Sequence, residues 1–272
     1  MPSRNSGRNF DQVRGIEVVF DPFGRSDASV LFSMGRTVVF ASVSLVNGVP
    51  PFLRGKGTGW LTAEYEMLPS ASKPRGLRAS SSAHRNKRSV EISRLIGRVF
   101  RSVTDFSSFG ERTIYIDCDV LSADGGTRTA AINGASAALF IAARRWANRK
   151  VISTNVFPKN ISAISAGVVN GDAFVDLEQE EDNEADADFN FILSHDNKVI
   201  EVQGTAERGP VSWDLFEQLK DLAAFGCKEI VQKLETFQSN LDDECFCHPA
   251  ETVHGAKCKT PLFCLGSRLA NK

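Results

Sequence analysis

Long hydrophobic runs are missing from this chain: nowhere do about 18 apolar residues follow one another uninterrupted, so no membrane-spanning helix is predicted. The first dozen residues are polar and lack the apolar stretch of a secretory signal, which points to the cytoplasm. Cysteine is sparse along most of the length. Of six, Cys245, Cys247, Cys258 and Cys264 crowd the extreme C-terminus, and Cys118 and Cys227 stand alone within strand-like and helix-like patterns. Isolated buried thiols are normally reduced, so no disulfide framework is implied. No internal repeat is present, and neither a Walker loop nor the dinucleotide GxGxxG pattern occurs, so no nucleotide cofactor is suggested. A net charge of only −1 neither favours nor disfavours a polyanionic partner.

What is there is a chain of 272 residues, 42% hydrophobic and 24% charged, enough for one large or two small domains with a real core. Its charges are segregated. Residues 70–112 carry ten Lys/Arg against three Asp/Glu, and residues 172–188 carry nine acidic residues and no basic one. A basic zone suits a polyanion and an acidic zone a divalent cation. Taken alone, either run also reads as a solvated face.

Hydrophobic periodicity gives alternating strands and helices. Strands are predicted over residues 28–34 and 37–45 around Gly35-Arg36, and over 60–66. Residues 90–103 place Ile92, Leu95, Ile96, Val99 and Val103 at helical spacing, with Arg94, Arg98 and Arg101 on the opposite face. Residues 113–120 alternate, with Ile114, Ile116, Cys118 and Val120 on one side and Asp117 and Asp119 on the other as potential supporting acids. An Ala- and Gly-rich helix over 127–146 follows, its small residues permitting close approach to a sheet. Asn170-Gly171 joins two more strands, 161–169 and 173–177. A second hairpin spans 188–194 and 199–204, and an amphipathic helix over 213–234 closes the pattern. Sheets packed with helices on this plan make an α+β fold.

The stretch "ADGGTRTAA", residues 123–131, lies between a strand and a helix. Gly125-Gly126 lets backbone N–H groups share a concavity, and Thr127 opens a helix whose positive end favours an anion. Thr127 adds a hydroxyl, and Arg128 adds a planar fork suited to two phosphate oxygens. A Gly-Gly turn by itself is often only a turn. Arg88, in the first turn of the 90–103 helix, sits where the dipole disfavours a cation, which is consistent with a ligand anion nearby. In "DLEQEEDNEADADFN", Asp182 on a loop and Asp188 at a strand start can converge on Mg²⁺, which needs one or two carboxylates plus phosphate oxygens. A solvated acidic loop is the plainer reading of the same residues.

From about Arg14 to Val231 the chain resembles the ribonuclease PH family of phosphorolytic 3′→5′ exoribonucleases. The resemblance runs through "GVPPFLRGKGTGWLTAEYEMLP", "RSVEISRLIGR", "GERTIYIDCDVLSADGGTRTAAINGA", "VVNGDAFVDLE" and "VIEVQGTAE". It implies two β-α-β halves in a single catalytic domain, residues 1–238, assembled as a homohexamer, a trimer of dimers. It implies phosphate binding by Arg88, Gly126, Thr127 and Arg128, and metal binding and leaving-group protonation by Asp182 and Asp188. Arg75 and Arg78 would line the RNA path. Inorganic phosphate would be the co-substrate, Mg²⁺ the metal, and the 3′ ends of tRNA precursors the substrate. Nucleoside diphosphates would be the products, and the reverse reaction would add nucleotides. The alternative is a non-catalytic RNA-binding ring subunit of an exosome-like assembly, but such subunits typically lack parts of the motifs kept here.

Two departures from the family pattern bear on RNA binding. Asn86-Lys87 replaces Gly-Gly before Arg88, and Ser70 replaces an arginine after "MLP", while Lys73, Arg85 and Lys87 add cations nearby. Residues 239–272 lie outside the resemblance. Their Cys and His spacings fit no standard zinc finger, and they read as a flexible appendage.

Overall fold

Two sheets enclose one long helix. The computed structural model describes residues 4, 7–78, 86–152, 156–157 and 159–241; the Cys- and His-bearing tail lies outside the described residues. The first sheet comprises β1 (Ile16–Phe20), β2 (Ala28–Met34), β3 (Thr37–Asn47), β4 (Trp60–Met67) and β5 (Arg112–Ser122), in the order β1-β2-β3-β5-β4. All its neighbours are antiparallel except β4 and β5. A parallel pair needs a crossover, and α1 (Lys87–Arg101) supplies it, packed on β4. The second sheet comprises β6 (Ile161–Val169), β7 (Asp172–Val175), β8 (Ala187–Ser194) and β9 (Val199–Ala206), in the order β7-β6-β8-β9 and antiparallel throughout. Among the described residues the parallel β-α-β unit lies in the first half.

Between the sheets runs α2 (Thr127–Asn148), against β2, β3 and β5 on one side and β6 on the other. A helix covered on both sides has no polar face to keep, and its buried residues surround the axis. Small side chains allow the approach: a Cβ placed on Gly134 would lie 3.2 Å from Phe32 and 3.3 Å from Ala41. Two of the polar groups that α2 buries, on Asn133 and Ser136, are paired with the second sheet. Asn133 donates to the Ala163 carbonyl and accepts from its N–H, both at 2.8 Å, and Ser136 accepts from the Ile161 N–H at 3.0 Å. Leaving such groups unpaired would cost about 1–3 kcal/mol each, so they fix the register of β6 on α2. The last helix, α4 (Trp213–Ser239), covers the far face of β6, β7 and β8. One hydrophobic cluster runs through both halves, from Ala28 to Leu234.

The predicted strands and helices are all present, with α4 extended to Ser239. Two elements escaped the sequence reading. β1 is a short edge strand, and α3 (Gln179–Glu184) is a six-residue helix inside what read as an acidic loop. Cys118 and Cys227 are free and buried, and burial pushes the Cys227 thiol up to about 12.

Asp117 and Asp119 do not support the site as expected. Cys118, between them, reaches back to the Ala131 carbonyl of α2, so both carboxylates occupy the opposite face of the sheet. There Asp117 is raised by burial, by Asp119 and by Glu64. A carboxyl raised on folding penalises the folded state above its folded pKa and does not below its unfolded one. Asp117→Asn should therefore raise Tm modestly at neutral pH and lose that gain near pH 4, as thermal melts across pH would read.

Candidate active site

β5 ends at Ser122 and α2 begins at Thr127, so four residues must turn the chain. Gly125 and Gly126 do so with φ of 74° and 62°, a left-handed region that glycine enters without strain. Gly125 is required for a second reason. A Cβ there would collide with the Leu177 carbonyl and lie 2.8 Å from Glu178 C and 2.9 Å from Gln179 N. The turn thus rests backbone to backbone on the start of the acidic segment.

Gly126 is the N-cap of α2 and offers no side chain to cap it. The first N–H groups of a helix have no intrahelical partner, and here they head a 22-residue dipole. The arrangement is a concavity for an anion. Thr127 is buried beside it, and Tyr65 Oη lies 3.0 Å from Thr127 Oγ1. With the phenol donating, Thr127 keeps its own proton for a ligand. Burial pushes the Tyr65 phenol up, against the Thr127 hydrogen bond and the fields of Arg88 and Arg128, so it stays protonated.

Arg128 is half-buried, and its Nη1 donates to Gln203 Oε1 at 3.4 Å. Gln203 Nε2 in turn donates to Glu201 at 3.0 Å, and Glu201 pairs with Arg98 at 2.7 Å. Arg88 is exposed in the first turn of α1. The departure from Gly-Gly before it has a local consequence: Asn86 Oδ1 accepts from the Arg88 N–H at 3.0 Å and caps the helix. Arg88 and Arg128 both act on Tyr65 and on Asp182, so residues from α1, α2, α3 and β4 face one space.

Asp182 sits on α3, whose start is a capping box between Glu178 and Glu181. Arg4 forks onto Glu181, with Nε 2.7 Å from Oε1, which ties α3 to the N-terminal segment. The Asp182 side chain reaches solvent, yet crowding by protein atoms is the largest cause raising its pKa, followed by Asp188. Arg88 and Arg128 pull it back down, and Glu207 pushes it up. Asp188, near the start of β8, is held in register opposite Gly167 and Thr205. Among the described residues there is no cluster of three or more metal-ligating side chains. Asp188 raises Asp182 as a neighbouring charge, and one or two carboxylates are what Mg²⁺ takes when phosphate oxygens complete its shell.

Arg75 and Arg78 lie exposed on the segment after β4, and Arg75 Nη1 donates to the Gly76 carbonyl at 3.1 Å. The arginine face of α1 is partly engaged within the chain: Arg98 pairs with Glu201, and Arg101 stacks 4.9 Å from the Trp60 ring centre and donates to the Leu61 carbonyl. Tyr65, Gln203 and Glu207 were not singled out in the sequence, although "TAEY" and "VQGTAE" contain them.

Residues 12–144 match domain 1 of the 3′ exoribonuclease family and residues 159–224 match its domain 2. Ribonuclease PH of Syntrophomonas wolfei is 43% identical over 233 residues, covering 86% of this chain and 98% of its own. That of Neisseria meningitidis is 44% identical over 225 residues, 83% and 93% of the two chains. Among solved structures, rice Rrp46 superposes with a TM-score of 0.70 at 18% identity, covering 86% of this chain and 99% of its own. The Archaeoglobus fulgidus exosome, with RNA bound to its active site, gives 0.70 at 21% identity, with coverage of 85% and 92%. Likeness at that identity shows a shared fold. The sequence matches go further, and the chain belongs to the ribonuclease PH family of phosphate-dependent 3′→5′ exoribonucleases.

Proposed function

We propose that this protein trims the 3′ ends of tRNA precursors and other RNAs by phosphorolysis at the Arg88, Arg128, Asp182 and Asp188 site. The observation that carries the reading is the Gly125-Gly126 turn at the head of α2, where unpartnered N–H groups lie beside Thr127 and Arg128. Phosphorolysis brings an anionic nucleophile beside an anionic phosphodiester. Two guanidiniums and the donors at the start of α2 supply the opposing charge that this crowding requires.

In the step proposed, phosphate is held by Arg88, Arg128, Thr127 and the Gly126 turn. One of its oxygens bonds to the phosphorus of the last phosphodiester, and the bond to the preceding 3′ oxygen breaks. The shortened RNA keeps that oxygen and takes a proton, and the terminal nucleotide leaves as a nucleoside diphosphate. Asp182, its pKa raised by burial and by Asp188, suits delivery of that proton. Asp188 would hold Mg²⁺, joined by Asp182 once its proton is given up, and the metal would supply charge neutralisation at the departing oxygen. No covalent enzyme intermediate is needed, and the same steps reversed add nucleotides from nucleoside diphosphates. The test is a 3′-tailed RNA incubated with Mg²⁺, with and without phosphate. Shortening should require both, and chelation should stop it; shortening unaffected by phosphate removal would refute the reading.

A homohexamer in the cytoplasm is part of the same proposal, and Arg75 and Arg78 would then line the RNA path. No helix of the described residues is long and apolar enough to cross a membrane. Light scattering at micromolar concentration should give about six times the 29.7 kDa chain mass. A 29.7 kDa particle alone would count against the ring.

A further inference from the structure

The phosphate turn and the acidic segment lie far apart in the chain, and one buried arginine grips both. Arg14 is 5% exposed. Its backbone N–H and Nε donate to Asp176 Oδ2 at 2.7 and 2.9 Å, and Nη2 donates to Oδ1 at 2.6 Å. The same guanidinium donates through Nη1 to the Asp124 carbonyl, and Nη2 reaches the Gly125 carbonyl at 3.5 Å. Thr37 closes the other side: its Oγ1 donates to the Gly125 carbonyl at 2.7 Å and accepts from the Asp124 N–H at 2.9 Å. Asp176 is fully buried, and its N–H is tied to the Ser165 carbonyl at 2.6 Å. It heads the segment that runs into α3 and Asp182.

Gly-Gly is the most flexible dipeptide a chain can carry, so an unbraced turn would have to be ordered by the anion itself. Here the carbonyls of Asp124 and Gly125 are tied to Arg14 and Thr37. A trans peptide points its N–H opposite to its carbonyl, so the N–H groups of Gly125 and Gly126 are turned away from that clamp. A buried ion pair is weak evidence for stability, because apolar side chains often serve as well. This pair needs another reason for being there.

We propose that Arg14, locked to Asp176, is the positioning residue of the phosphate turn. It pre-orders the glycine peptides for the anion and sets them in register with the segment that carries Asp182. The inference rests on the phosphate-site reading above. Ordering before binding spares the ligand that cost, so the effect belongs in phosphate affinity more than in RNA affinity.

The experiment is a titration of inorganic phosphate against diphosphate release for the parent, Arg14→Lys and Thr37→Val. An ammonium cannot span a carboxylate and two carbonyls as a guanidinium fork does. Val keeps the shape of Thr37 and loses both hydrogen bonds, so it tests the turn even where Arg14→Lys does not fold. In the folded variants KM for phosphate should rise on the order of tenfold or more, with kcat at saturating phosphate and RNA affinity near parental. A merely structural role would lower Tm and the active fraction without moving KM. Parental KM in folded Thr37→Val, or in both variants, overturns the proposal. Arg128→Ala run alongside separates the two failures, because an unchanged KM there removes the phosphate site itself.

Discussion

Asp182→Asn should reduce turnover on the order of 10²-fold or more while RNA still binds. The substitution keeps the shape of the side chain and removes its charge and its acidity. Both matter at this position. Asp182 is raised by burial and by Asp188, a combination that suits a proton donor and that a divalent cation would relieve. On the proposed reading RNA is held by cations spread over a wider surface, including the exposed Arg75 and Arg78, so its affinity should change little. Rapid quench for turnover and anisotropy for RNA binding would measure the two separately. A variant that turns over at the parental rate with Mg²⁺ present would remove Asp182 from the chemistry.

The second large effect belongs to Arg128. Loss of one charged donor from a preorganised oxyanion site costs about 2–4 kcal/mol, or roughly 30- to 1000-fold. Arg128→Ala should therefore raise the phosphate requirement steeply and lower the rate, with only a modest change in RNA affinity. Arg128→Lys should recover little, because an ammonium offers a point charge where the guanidinium offers a planar fork. The Gln203 contact at 3.4 Å suggests a companion measurement: Gln203→Ala frees the fork on one side and should cost far less than Arg128→Ala. A phosphate titration of all three variants gives the comparison. Equal phosphate dependence in the parent and Arg128→Ala would move the nucleophile's site elsewhere.

Much of this arrangement could be read in the sequence because it depends on local grammar. Gly-Gly-Thr-Arg between a strand and a helix reads as a tight turn onto a helix N-terminus, and Asn170-Gly171 reads as a hairpin turn. α2 was legible from its small residues, which a helix caught between two sheets needs. What escaped depends on contacts distant in the chain. Arg14 reads as one basic residue among many until Asp176 arrives beside it, 162 positions away. α3 has no apolar stripe, since its direction is set by Arg4 on Glu181 and by the capping box. The shared face of Asp117 and Asp119 was legible, but not their supporting role: alternation gives two faces, and only packing decides which one α2 covers.

On the proposed function, phosphate held at the Thr127–Arg128 turn is the attacking group. Radiolabelled inorganic phosphate supplied with an unlabelled 3′-tailed RNA tests it most directly. Label is expected in the β-phosphoryl group of every nucleoside diphosphate released, with the rate of incorporation falling in Arg128→Ala. Unlabelled nucleoside monophosphates as the product would contradict it, because water would then be the nucleophile.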